Sequence, residues 1–148
     1  MPGIIVGIDG SDYAQKALDW AMKEAAAHRV PLTVLTVHPE AIGAWGLRPI
    51  SYPQDQEEQE KARRAAEEAV EKTISQLEPQ SRPESVTVRA VSGIVAEELI
   101  NASRDAGLLV VGSRGHGGFA RLMIGSVSAQ VSHHARCPVV IVHSERHD

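Results

Sequence analysis

The chain has 148 residues with a formal net charge of −4, and 43% of them are hydrophobic and 23% charged. That is enough for one core and too apolar for a disordered chain, and it lacks the basic excess of a protein that coats nucleic acid. The sparse aromatics (Tyr13, Trp20, Trp45, Tyr52 and Phe119) argue against a base-stacking surface, and the lone Cys137 against a disulfide scaffold.

In chain order, Ile4 to Ile8 is a β-branched apolar run ending at Asp9, the pattern of a strand covered on both faces. Gly10-Ser11-Asp12 supplies a turn and a helix N-cap, and Ala14, Ala17, Leu18, Ala21, Met22 and Ala25 then recur at helical spacing until Pro31. Leu32 to Val37 is the second strand. His38 to Asp55, with its glycines and prolines, is expected to be a long surface loop, either a lid or a variable connection. Gln54 to Leu77 is a charged helix with Ala62, Ala66, Ala69, Val70, Thr73 and Leu77 inward and a solvated face laced with ion pairs. Val86 to Val91 is a third strand, a short helix follows Gly93, Leu108 to Val111 is a fourth strand, Gly125 to His134 a last helix and Val139 to Val142 a fifth strand.

Strands alternating with helices imply one α/β domain over residues 1–148, an open, doubly wound five-stranded parallel sheet. Ligands of such sheets bind beyond the carboxyl ends of the strands, where the winding reverses. That rule directs attention to Asp9, Val37 and the segment after Val111. No apolar run approaches the roughly 18 residues that span a bilayer. The Met-Pro-Gly start lacks the basic and apolar parts of a secretory signal, so a cytoplasmic protein with no membrane partner is expected.

The segment from Gly112 to Ser128 carries the chemistry. Five glycines (112, 115, 117, 118 and 125) let backbone amides approach an anion, and the segment leads into a helix N-terminus bearing Ser126 and Ser128. From Ala106 to Ser144 there is no Asp or Glu, while Arg114, Arg121 and Arg136 are present, so this third is locally positive. A Walker motif is absent. Gly115-His116-Gly117-Gly118-Phe119-Ala120 fits a dinucleotide pattern, but no acid lies about 20 residues on to hold a ribose. His133, His134, Cys137 and His143 could suggest zinc, but a structural reading is preferred.

Gly112-x2-Gly115-x9-Gly125-Ser126 resembles the nucleotide motif of the universal stress protein family, as do Ile5-Val6-Gly7-Ile8-Asp9-Gly10-Ser11 and His134-x2-Cys137-Pro138-Val139-Val140-Ile141-Val142. The resemblance covers essentially the whole chain. It implies a sheet of order 3-2-1-4-5, the adenine nucleotide alpha hydrolase-like fold, and bound ATP or a related adenine nucleotide (ADP or AMP). By position, Asp9, preceded by Ile8, would contact the ribose. The backbone at Val37 would meet the adenine, and Gly112, Gly115, Gly125 and Ser126 would hold the phosphates, with Val127 and Ser128 beside them; Arg114, like His116 and Arg121, either touches the phosphates or is solvated. It also suggests a homodimer through Val139 to Val142, which should be an unprotected apolar edge strand. The phosphate segment offers no acid to hold a metal, and only Asp9 or Asp12 could reach a Mg2+ carried by the nucleotide. A binding protein with a regulatory role in stress response is therefore expected rather than an efficient enzyme. The alternative is a weak ATPase or nucleotidyl transferase of the same fold.

Overall fold

A computed structural model describes residues 2–39, 41–42, 49–50, 53–113 and 126–143. Strand β1 (Ile4–Ile8) leads to helix α1 (Asp12–His28), then β2 (Leu32–Pro39). A short antiparallel pair follows, β3 (Ala41–Ile42) with β4 (Pro49–Ile50). Next come α2 (Pro53–Gln76), β5 (Val86–Gly93), α3 (Val95–Ser103), β6 (Leu108–Gly112), α4 (Ser126–His134) and β7 (Val139–Val142).

The main sheet runs β5-β2-β1-β6-β7 with every pairing parallel. Counting only its own strands along the chain, this is the order 3-2-1-4-5. Helices lie on both faces of the sheet, so the central strands β1 and β6 are apolar on both sides, whereas the edge strand β5 exposes Thr87 and Arg89. On one face Ala17, Leu18, Ala21, Met22 and Ala25 of α1 and Val70 of α2 pack on Ile4, Val6, Leu32, Val34 and Val110. On the other, Leu99 of α3 and Val131 of α4 pack on Ile5, Leu35, Leu109 and Val111. Burying a side chain of this size stabilises by about 1.5–3 kcal/mol.

Several boundaries differ from expectation, each for a local reason. Helix α1 ends at His28, two residues before the Val30 that precedes Pro31, because Arg29 turns left-handed (φ 55) and its N–H reaches the Ala25 and Ala26 carbonyls. Strands β2 and β5 both run two residues past Val37 and Val91, since the ladder continues through His38↔Ser92 and Pro39↔Gly93. The expected loop from His38 to Asp55 thus begins inside β2, holds the β3–β4 pair and ends inside α2. A pair of two-residue strands leaves no periodicity to read.

The inward face of α2 carries Ala66, Val70 and Thr73, with Ala69 and Leu77 partly buried beside them. The buried Thr73 hydroxyl donates to the Ala69 carbonyl (2.7 Å) and accepts from Gln15 Nε2 (2.8 Å), tying α2 to α1. Outward, Arg63 bridges Glu60 and Glu67, and its hydrogen bond holds the Glu60 carboxyl below the ordinary range. These groups are solvent-exposed, so the pairs contribute little to stability. Gln59 closes part of the sheet's β5 edge: its Nε2 donates to the Ala90 carbonyl (2.9 Å), and Ser92 Oγ donates to its Oε1 (2.6 Å). Among the described residues, no helix is long and apolar enough to cross a membrane.

Candidate functional site

The winding reverses between β1 and β6. Strand β1 feeds α1, which lies on one face of the sheet, while the adjacent β6 leads on to α4, which lies on the other. In sheets of this kind, diverging helices leave a crevice above the carboxyl ends of the strands at the switch point. Strand β2 stands on the far side of β1, with Ile8 paired to Thr36. The ends of β2, β1 and β6 are therefore side by side, and they bring Val37, Ile8 with Asp9, and Gly112 to one rim. Neighbouring strands lie about 4.8 Å apart, so the rim is roughly 10 Å across.

The turn after β1 is built to hold Asp9. Gly10 has φ +83, a left-handed conformation that favours glycine, with open space where a Cβ would stand. That reversal brings Ser11 back to Asp9, whose Oδ1 accepts from the Ser11 N–H (3.0 Å) and hydroxyl (2.6 Å). Ser11 is the N-cap of α1, and its Oγ accepts from the Ala14 N–H (3.2 Å). The helix cap thus belongs to Ser11, and Asp9 steadies that cap. The spacing Asp-Gly-Ser, an Asx turn, was the signal for a carboxylate oriented by its own turn.

Across the crevice, Gly112 ends β6, and the next residue stays tied to the sheet through its N–H, Ser113 to the Val142 carbonyl (2.9 Å). Helix α4 then starts at Ser126, whose first-turn N–H groups are natural anion donors. Val127 packs partly buried against the second core cluster, and Ser128 is buried. Arg114, Gly115 and Gly125 lie outside the described residues, as do His116 and Arg121. The structure therefore brings together Ile8, Asp9, Val37 and Gly112, while Ser126, Val127 and Ser128 open the helix to which β6 leads.

Of the cluster near the chain's end, the His133 and His134 rings are 6.4 Å apart on the last turn of α4. Cys137 packs against the second core cluster, and burial pushes its thiol above the ordinary range.

A five-stranded parallel sheet in this order, opening at the β1–β6 switch point, defines the nucleotide alpha-hydrolase-like class of α/β proteins. The family model for the universal stress protein family matches residues 2–143, and the chain belongs to that family. A universal stress protein of Mycolicibacterium smegmatis is 34% identical over 143 residues, covering 97% of this chain and 48% of its own length. The chain spans about half the length of the curated relatives it matches. Among solved structures, the universal stress protein UspA from Lactobacillus plantarum superposes with a TM-score of 0.74 at 24% identity, covering 95% of this chain and 97% of that one. A universal stress protein in complex with cAMP gives 0.67 at 26% identity, covering 97% and 98%.

Proposed function

We propose that this protein binds an adenine nucleotide, ATP or the related ADP or AMP, in the crevice between β1 and β6, and that occupancy is a regulatory signal in a cytoplasmic stress response. The observation that carries this reading is the convergence at one switch point of the held Asp9 carboxylate, Val37 where β2 passes the end of β1, and the Gly112 exit toward the α4 N-terminus. A carboxylate accepts both hydroxyls of a ribose diol, and unpaired amides suit phosphate oxygens. The family member solved with cAMP supports a ligand of this chemistry. A Mg2+ accompanying the nucleotide would be carried on phosphates and water, because Asp9 Oδ1 already accepts twice from Ser11.

Rapid catalysis is not part of this reading. Phosphoryl transfer needs a positioned base and a held metal, and the crevice residues described above offer one carboxylate engaged with its own turn. The second reading, a weak ATPase or nucleotidyl transferase, is separated by following ADP release. Turnover faster than about one per second favours the enzyme. Binding itself is tested by mass spectrometry of small molecules that co-purify and by titration with ATP, ADP, AMP and cAMP. Failure to retain a nucleotide, together with no saturation at millimolar ATP, overturns the proposal.

Self-association through β7 belongs to the same reading. The β5 edge is partly closed by Gln59, whereas β7 is the sheet's other edge, apolar and half-buried throughout. An apolar edge of this kind favours pairing with a second copy. Sedimentation at roughly 100 μM, about a hundredfold above a micromolar dimer constant, should show a dimer, and a monomer there refutes it.

A further inference from the structure

On the face covered by α3 and α4, two helices serve five strands, and the outer part of β2 and β5 is left open beside α3. A cavity of about 310 Å³ lies there, away from the crevice at the strand ends. Its floor is formed by Leu35 and Val91 with Thr33 beside them, and its walls carry Arg89 on β5 and Glu98, Asn101 and Asp105 on and just after α3. Glu98 and Asp105 are seven residues apart, and the helical turn continues past α3 through the Asp105 N–H bonded to the Ala102 carbonyl (3.3 Å). They therefore stand about 10 Å apart along one wall.

The charges lining this cavity are not spent on each other. Among the described residues, no ion pair within 4.0 Å joins Arg89 to Glu98 or Asp105, and no side-chain hydrogen bond engages any of the three. Glu98 is nonetheless placed: a Cβ on Gly93 would meet its Oε1 at 2.7 Å, so the carboxylate lies where the glycine backbone leaves room.

We propose that this cavity is a second ligand site, for a free basic amino acid. Two carboxylates and one guanidinium call for a molecule with two cationic centres and one carboxylate. A basic amino acid has that set, joined by an aliphatic stem that suits the Leu35–Val91 floor. Its α-carboxylate pairs with Arg89, its α-ammonium and terminal cation with Glu98 and Asp105, and Asn101 offers a further hydrogen bond. Val91 pairs in register with Val37, so the β2–β5 ladder connects the site to the nucleotide crevice without a shared residue.

The test is calorimetric titration of the full chain, without nucleotide, using L-lysine. Saturable binding is expected. 6-Aminohexanoate, which lacks the α-ammonium, and cadaverine, which lacks the carboxylate, should each bind at least about tenfold more weakly. Arg89→Ala and Glu98→Gln should each weaken lysine by a similar factor. Both alter solvent-accessible side chains, so an unchanged melting curve shows that the fold survives. Absence of saturation up to about 10 mM, or equal heats for all three probes, overturns the proposal, as does undiminished lysine binding in both variants. Because nucleotide is omitted, these outcomes do not depend on whether the crevice binds ATP.

Discussion

Asp9 holds its turn and, in the proposed function, a ribose diol, and two substitutions separate the two. Asp9→Ala removes the Oδ1 that accepts from the Ser11 N–H and hydroxyl. Each such bond is worth about 0.5–1.5 kcal/mol net, and this turn is solvent-exposed, so the low end applies to each. The expected loss is about 1 kcal/mol, a fall in Tm of about 3–4 °C for a domain of this size. Asp9→Asn keeps an oxygen acceptor at Oδ1 and so keeps the turn, with a stability change under about 0.5 kcal/mol. It removes the charge, however, and turns one acceptor oxygen into a donor. If Asp9 holds a ribose diol by charge-assisted bonds worth about 1.5–3 kcal/mol, ATP affinity should fall at least about tenfold in Asp9→Asn despite the intact fold. Thermal melts and ATP titration on the two variants provide the measurement. Native ATP affinity in Asp9→Asn would refute the ribose role. A melt as low as that of Asp9→Ala would refute the claim that the turn needs an acceptor and not a charge.

Further predictions concern the frame around the crevice. Ser103 is fully buried, donates to the Ile100 carbonyl (2.6 Å) and accepts from the Arg136 N–H (2.9 Å), so Ser103→Ala should cost about 1–3 kcal/mol in urea unfolding; a neutral result means that another acceptor reaches Arg136. A Cβ on Gly7 would meet Leu99 Cδ2 at 2.8 Å, so Gly7→Ala should destabilise by about 1–3 kcal/mol, and by clearly less when introduced into Leu99→Ala; strict additivity in that cycle contradicts the clash. Gln59→Ala frees the Ala90 carbonyl and Ser92 hydroxyl on the β5 edge and should raise the apparent mass in light scattering, whereas an unchanged mass shows that the edge is guarded by other means. Burial raises the Cys137 thiol, so less thiolate is present at neutral pH; iodoacetamide should react more slowly there than with free cysteine and faster as pH climbs past about 8.5, and parity at pH 7 would contradict the shift.

How much of the architecture was legible can be judged from particular segments. The bounds of β1 and β7 follow from their sequences because every position is apolar and a charged or turn residue stands at one end. The extra length of β2 and β5 was not legible. His38 and Pro39 look like loop residues, and the β5 ladder holds them extended. In the site, the motif spacing pointed to Asp9, Gly112 and Ser126; the Asp-Gly-Ser spacing carried the signal of an Asx turn, and the left-handed Gly10 gives that turn its geometry.

The cavity beside α3 marks the boundary between the two kinds of knowledge. Chain order, periodicity and glycine spacing were enough to assign a doubly wound parallel sheet and to locate the switch point, because these are short-range patterns dictated by strand and helix geometry. No local pattern links Arg89 with Glu98 and Asp105 across the Leu35–Val91 floor. That meeting exists only because two helices cannot cover five strands, and the coverage of a sheet is settled by three-dimensional packing rather than by any residue's neighbours along the chain.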